Sequence, residues 1–500
     1  MKNHSFLFFK ICFLFVFIFA ISCKNEPAKT ETKTPITETA KPEYEKPRVP
    51  DWHKNATIYE VNLRHYTPEG TFKAFEAHLP RLKEMGMDIL WFMPIHEISK
   101  TKRKGELGSP YAVNDYKAVN PDFGTMEDFN HLLKAIHDAG MYCIIDWVPN
   151  HTGWDNVWIT EHPEWYSKNK AGEITDPINY ETGESWGWTD VADLNYDNQE
   201  MRKGMIDAMS FWIKEVGIDG FRVDVAHGVP VDFWEECSDA LYAIKPIFFF
   251  AEAEVPELLN NGSFIMDYAW ETHHLLNDIA KSQGANRTNA KLEKGNVVEG
   301  KAEMADKKTA LDIDKMLAKK AEQYSRGYQM QFTSNHDENS WSGTEMQRMG
   351  DGHLAFAVLT ATFNGMPLVY TGMEAAMDKQ LEFFKKDEIE WGDFKYAGFY
   401  KTLFDLKHKN KALWNGEHGG ELVKIKTGND ENIYAFTREK DGDRVVVVIN
   451  LSSKKQVVKL EGTDFVGNFT NVFSKKAQEL KAGETMNLDA WEYFVFSNKK

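Results

Sequence analysis

The chain has 500 residues, with 59 Lys and Arg against 76 Asp and Glu, a formal net charge of -17. That balance argues against capture of nucleic acid or anionic membrane surfaces, which takes a basic patch, and leaves neutral substrates open. The length exceeds one average domain and fits a large barrel with an added module. At 42% hydrophobic and 13% aromatic residues, core material is not limiting.

Lys2 and Lys10 frame a short basic region, "ICFLFVFIFAIS" is apolar without a break, and small Ser22 precedes Cys23. This is the pattern of an export signal, and the apolar run is too short to span a bilayer comfortably. It resembles the bacterial lipoprotein signal, in which cleavage before the cysteine leaves that residue lipidated. An ordinary signal peptide or an uncleaved anchor is the alternative. The lipoprotein reading implies a signal over 1–22, a lipidated Cys23, and an exported protein held to the cell envelope by its lipid alone, on the periplasmic or surface side of an outer membrane. Residues 23–50, rich in Lys, Glu, Thr and Pro, cannot bury enough surface to fold and read as a tether. The folded part is expected from about Asp51.

From there, apolar runs alternate with amphipathic stretches: "TIYEVNL", "DILWFMPI", "YCIIDWV", "GFRVDVA", "IFFFAEAE", "SFIMDYAW", "QMQFTSN" and "PLVYTG". Buried parallel strands read as near-continuous apolar runs, so eight of them separated by helices predict an α/β fold, a closed (β/α)8 TIM barrel over 51–417. "TFKAFEAHLPRLKEMGM" and "TMEDFNHLLKAIHDAGM" each predict one helix stopped by glycine. The aromatic stretch from about His151 to Asn198 is too long for an ordinary loop and predicts a small inserted subdomain after the third strand. The charged stretch 282–325 reads as a helical excursion with a solvated face. Beyond about residue 418, short alternating strands with a "KDGD" turn predict a C-terminal antiparallel β-sandwich over 418–500. Cys143 and Cys237 read as buried apolar residues rather than a disulfide.

Polar residues at the C-terminal ends of barrel strands converge on one open face. "DWVPNH", "GFRVDVAH", "FFFAEAE" and "FTSNHDEN" all end in acids or histidines, which brings Asp224, Glu252 and Asp337 together there. Three carboxylates from three strand ends suit glycosidic bond cleavage, which takes one carboxylate as nucleophile or base and one carboxyl as proton donor.

At these residues the chain resembles the α-amylase superfamily of glycoside hydrolases (glycoside hydrolase family 13), and the match runs in order through nearly everything after the tether. "DWVPNH" is similar to the family's third-strand segment, "GFRVD" to its nucleophile strand, "FAEAE" to its acid strand, "NHD" to its seventh-strand pair and "GMPLVYTGME" to its eighth-strand segment. The resemblance implies that Asp224 is the nucleophile of a covalent glycosyl-enzyme, with Arg222 keeping it ionised. It implies that Glu252 is the acid, held protonated by surroundings that raise its pKa. Glu254, facing the same way on a strand, is its rival. Asp337 would hydrogen-bond sugar hydroxyls near the transition state, His336 and His151 would donate to the same sugar, and Tyr111 would stack on it. Asp146 and Asn150 read as supports of the third-strand end.

The sequence also departs from the family. Many relatives carry His four residues beyond the nucleophile, where this chain has Gly228, and His227 comes one position early. In calcium-containing relatives that His joins an Asn and an Asp, here Asn150 and Asp193, as metal ligands. Two donors do not make a site of six to eight oxygens, so the metal stays undecided, and no cofactor is required for the chemistry. Of Trp154, Trp158, Trp165, Tyr166, Trp186 and Trp188, most are expected in the subdomain's core and one or two on glycan. The expected activity is retaining cleavage of α-1,4-glucosidic bonds in starch-like α-glucans. The alternatives are an exo-acting α-glucosidase or transglycosylase, and a catalytically silent glycan-binding lipoprotein.

Overall fold

The computed structural model describes residues 48–178, 182, 184–287 and 307–499. The expected signal, Cys23 and the tether through residue 47 lie outside the described residues, as does 288–306 of the charged excursion.

Among the described residues, eight parallel strands close into a barrel. They are β1 (Ile58–Val61), β2 (Ile89–Phe92), β3 (Tyr142–Trp147), β4 (Gly220–Val223), β5 (Phe248–Ala251), β6 (Met266–Tyr268), β7 (Tyr328–Gln331) and β8 (Met366–Tyr370). Strands adjacent in sequence are adjacent round the ring, and β8 returns to β1 through Ile58 opposite Leu368. These are the eight apolar runs, in order. Alternation along each strand divides two cores. Ile58, Ile89, Trp91, Ile144, Phe248, Phe250, Met266 and Met330 fill the interior, while Tyr59, Leu90, Cys143, Ile145, Phe221, Phe249 and Val369 pack outward in the larger core. Gly220 opens β4 where a Cβ would lie 1.8 Å from the Phe248 carbonyl oxygen, so only glycine fits this strand pair.

The helix expected over "TFKAFEAHLPRLKEMGM" is two. Phe72–Glu76, capped by Thr71, breaks before Leu79–Met85. Pro80 has no N–H to continue the first helix but suits the first turn of the second, which ends on a left-handed Gly86. Met126–Asp138 is continuous, with a capping box between Thr125 and Asp128. Cys143 and Cys237 are buried free thiols.

Between β3 and β4 a two-stranded ladder joins His151–Gly153 to Val191–Asp193. Trp165 and Tyr166 are buried beneath it, and Trp158 meets Trp165 edge-on at 5.0 Å. At the C-terminal end a six-stranded antiparallel sheet begins at Leu422, and a ribbon of Gln456–Lys459 with Thr485–Leu488 encloses a separate core that includes Ile433, Val448, Val458 and Leu488. The "KDGD" turn joins Lys440 to Asp443, with Asp441 and Gly442 both at positive φ, the geometry that hairpin twist favours.

Candidate active site

Two positions beyond the apolar interior layer, the inward-facing residues turn polar. Glu60 on β1, Asp146 on β3 and Arg222 on β4 are fully buried there. Arg222 is the hub. Its Nη1 donates to Asp146 Oδ1 and to Asp224 Oδ1, both at 2.9 Å, and its Nη2 lies 2.6 Å from Glu252 Oε1. Nε and Nη2 also reach the Tyr268 hydroxyl at 3.2 and 3.1 Å. A guanidinium with no exposure needs this many acceptors, because a buried unpaired charge costs several kcal/mol. Asp146 is satisfied in turn by the Trp91 indole N–H at 3.2 Å and the Tyr111 hydroxyl at 3.1 Å.

The backbone after Asp224 turns sharply. Val225 sits at φ 44, a left-handed conformation rare for a β-branched residue. That turn aims its N–H at Glu252 Oε2, 2.8 Å away. Strain of this kind collects where a site needs a donor placed against local preference.

His336 bridges the far side. Its Nδ1 lies 2.5 Å from Glu60 Oε1, its Nε2 meets the Tyr111 hydroxyl at 2.7 Å, and Asp337 Oδ2 is 3.3 Å away. The Tyr111 ring is nearly parallel to His336 and to Phe383, with centroids 5.5 and 6.2 Å away. Burial alone would lower the His336 pKa, but the charges of Asp337 and Glu60 and the Glu60 hydrogen bond lift it to about 9. Burial also raises the Glu60 carboxyl despite His336. With both partners shifted upward, the pair holds a proton more tightly than either group does in water. A folded-state pKa above the unfolded value of about 6.5 means this stabilisation is complete below about 6.5 and lost as pH rises through about 9. Replacing Glu60→Gln is expected to return the His336 titration toward about 6.5. NMR of 13C-labelled histidine would read the change, and an unmoved titration would remove Glu60 as the cause.

Asp224, Glu252, Asp337, His336, His151 and Tyr111 line one cleft of about 700 Å³. Their side chains differ in access, with Asp224 9%, Glu252 13% and Asp337 36% exposed, so Asp337 is the most open of the three acids. Arg222 lies beneath them. His151 is lowered to about 4, chiefly by burial, and is a neutral donor at pH 7. Trp188 lines the same cleft, edge-on to His151 at 5.7 Å, and the half-exposed Trp186 stacks on Trp188 at 6.0 Å.

Three expectations change. Glu254 does not share the face of Glu252, because β5 ends at Ala251 and the chain bends. Glu254 is bonded instead to Lys320 at 2.6 Å and to the Glu271 N–H at 2.9 Å. The surroundings of Glu252 do not raise its pKa in this arrangement. Burial raises it, but Arg222 and the Val225 N–H together hold it below the usual glutamate range. Nor does Arg222 keep Asp224 ionised as expected: the Asp224 carboxyl rises, because burial and the neighbouring Glu252 charge outweigh Arg222.

Where relatives place His, Gly228 sits so close to Asn150 that a Cβ would lie 2.7 Å from Asn150 Oδ1. Asn150 Nδ2 faces His151 Nδ1 at 3.2 Å, and Asp193 is raised to about 6, first by burial. Among the described residues no cluster of three or more His, Cys, Asp or Glu is placed to hold a metal. Asn150 and Asp193 supply two of the six to eight oxygens a calcium ion takes, which by themselves do not define a site.

The sequence reading missed Glu60, Tyr268 and the cleft residues Lys104, Asp190, Trp341, Phe383 and Phe384. Glu60 did leave a signal, as the lone acid within an apolar strand.

Acids and donors at the strand ends of a closed barrel, walled by aromatic rings, define a carboxylate-driven barrel enzyme. The comparisons narrow the class. A model of "Alpha amylase, catalytic domain" matches residues 50–444, and one of "Maltogenic Amylase, C-terminal domain" matches 424–495. Alpha-amylase MalA of Haloarcula japonica is 26% identical over 443 residues, which span 83% of this chain but 59% of that protein. Alpha-amylase 3 of Dictyoglomus thermophilum is 24% identical over 85% of this chain and 88% of its own. The crystal structure of a noncanonic maltogenic alpha-amylase, AmyB of Thermotoga neapolitana, superposes with a TM-score of 0.75 at 26% identity, covering 89% of this chain and 98% of that one. The chain belongs to the α-amylase family of glycoside hydrolases.

Proposed function

We propose that the protein is a retaining hydrolase of α-1,4-glucosidic bonds in α-glucans, acting through a covalent glycosyl-enzyme on Asp224. The observation that carries this reading is the sharing of one guanidinium by Asp224 and Glu252, at 2.9 and 2.6 Å. Two carboxylates on neighbouring nitrogens of one group favour the close spacing of retaining sites, about 5–5.5 Å, over the wider gap that admits a water in inverting ones.

In the ligand-free arrangement Asp224 holds a proton more readily than Glu252, the reverse of what the reaction needs. Both depend on Arg222. When a glycosidic oxygen draws Glu252 away from Arg222, Glu252 loses the contact that keeps it ionised, and Arg222 is left to Asp146 and Asp224. The proton then belongs on Glu252 and the charge on Asp224. Asp224 attacks the anomeric carbon as Glu252 gives its proton to the leaving oxygen. Water, deprotonated by Glu252, then releases the sugar with its original anomeric configuration. Asp337 stabilises the intervening oxocarbenium-like state with its negative charge and through the sugar hydroxyls, His336 orients the same sugar, and Tyr111 supports the ring face.

The test is incubation with amylose and maltooligosaccharides, with product sizes and the first-formed anomer followed beside Asp224→Asn. An α-anomer that the variant does not produce supports the reading. Glycan binding without cleavage would instead favour a capture protein.

We also propose that Cys23 is lipidated and holds the exported protein to the cell envelope. The basic and apolar signal ending in Ser22-Cys23 supports this. A clickable fatty acid fed to expressing cells is expected to label the wild type and not Cys23→Ser. Equal labelling of both would refute the anchor.

A further inference from the structure

One rim of the cleft is continuous. Lys104 Nζ lies 2.8 Å from Asp190 Oδ1 and donates to the Gly187 carbonyl at 3.1 Å, which ties the segment before Tyr111 to the subdomain between β3 and β4. The same segment is sewn to the loop after β8. The Leu107 N–H donates to the Phe384 carbonyl at 2.9 Å, and Arg64 Nη1 holds the Gly108 and Phe383 carbonyls at 3.0 and 2.9 Å. Gly105 marks the crossing, since a Cβ there would lie 2.4 Å from Phe384 Cβ. Trp341, 46% exposed, completes the wall against Phe383 and Phe384 at 5.2 and 6.0 Å. Lys104, Asp190, Trp341, Phe383 and Phe384 all face the cleft.

Among the described residues the opposite rim is sparse. From the loop after β5 only Glu252 lines the cleft, and the described residues after β6 contribute none. The bridge is also well supported. The Asp190 side chain is 7% exposed, so its charge is screened little by solvent, and Lys104 is held by a carbonyl as well as the carboxylate.

Reaction polarity assigns the two rims, and this step rests on the roles proposed above for Asp224 and Glu252. The acid protonates the leaving oxygen, so the leaving sugar lies toward Glu252 and away from the Lys104 segment. The ring taken by Asp224 lies on Tyr111 and His336, with its preceding sugars directed at Phe383, Trp341 and the Lys104 segment. We propose that the Lys104–Asp190 bridge and the Leu107–Phe384 seam close the non-reducing-end side of the cleft, so that the protein removes short glucose units from chain ends rather than cutting internal bonds.

The test uses two maltoheptaose-type oligosaccharides, one with a free non-reducing terminal ring and one with that ring blocked by a cyclic acetal. Mass spectrometry follows their consumption by the purified protein. The wild type is expected to consume the free oligosaccharide about tenfold faster or more. Lys104→Ala and Asp190→Asn, which open the bridge from either partner, should bring the ratio toward one. Equal rates in the wild type would overturn end-cutting. A wild-type preference that neither variant reduces would overturn the assignment to the bridge. If neither oligosaccharide is consumed and Asp224→Asn matches the wild type, the hydrolase reading itself falls, and this proposal with it.

Discussion

Asp224→Asn is expected to lower kcat on maltooligosaccharides by about 10⁴-fold or more while leaving the fold intact. Asn keeps the shape of Asp and can still accept from Arg222 Nη1, so the buried network stays occupied. Arg222 also retains Asp146 and Glu252 as charged partners. The amide cannot attack the anomeric carbon, so the loss falls on chemistry and KM should move little. Steady-state kinetics beside a thermal melt separates the two effects. Turnover above about one part in a hundred of the wild type, with an unchanged melt, would remove Asp224 from the nucleophile's role.

Arg222→Met carries the second large effect, on stability. It leaves Asp146, Asp224 and Glu252 in the barrel mouth without their common cation, a loss of about 3–5 kcal/mol. The sign of its pH dependence follows from the carboxyls. Burial already lifts Asp146 to about 6 from an ordinary value of 3.8, with Arg222 pulling it down. Without Arg222 its folded pKa rises further. A carboxyl with a raised folded pKa stabilises the fold while protonated and loses that contribution as pH rises through the folded value. The variant should therefore come closest to wild type near pH 4 and fall furthest behind above about pH 6. Urea midpoints between pH 4 and 8 read this directly. A small, pH-independent loss would contradict the network.

The barrel was legible because its strands are buried on both faces and so carry unbroken apolar runs, and the same burial makes Arg222 on β4, and Asp224 just beyond its end, conspicuous. Legibility stopped where local periodicity did. Glu252 and Glu254 look equivalent by alternation, but β5 ends at Ala251 and the bend sends them to Arg222 and Lys320. Glu60 showed as an odd acid in β1, yet its partner His336 lies 276 positions away and no local pattern pairs them. Lys104, Asp190 and Phe384 meet only because separate loops are fastened across the barrel mouth, so their charge and apolarity read as ordinary surface. Pro80 was visible throughout, and its break in the helix follows from a missing N–H that the hydrophobic spacing masked. The proton order within the Asp224–Glu252 pair could not be read from residue types, because it depends on which carboxylate holds Arg222.

The most direct measurement is the mass of the protein after incubation with a slowly hydrolysed α-glucosyl fluoride carrying a fluorine on the ring, followed by peptide mapping. One hexosyl adduct is expected, on the peptide containing Asp224, and none in Asp224→Asn. Turnover of glucan with no adduct, and a first product of inverted anomeric configuration, would contradict it.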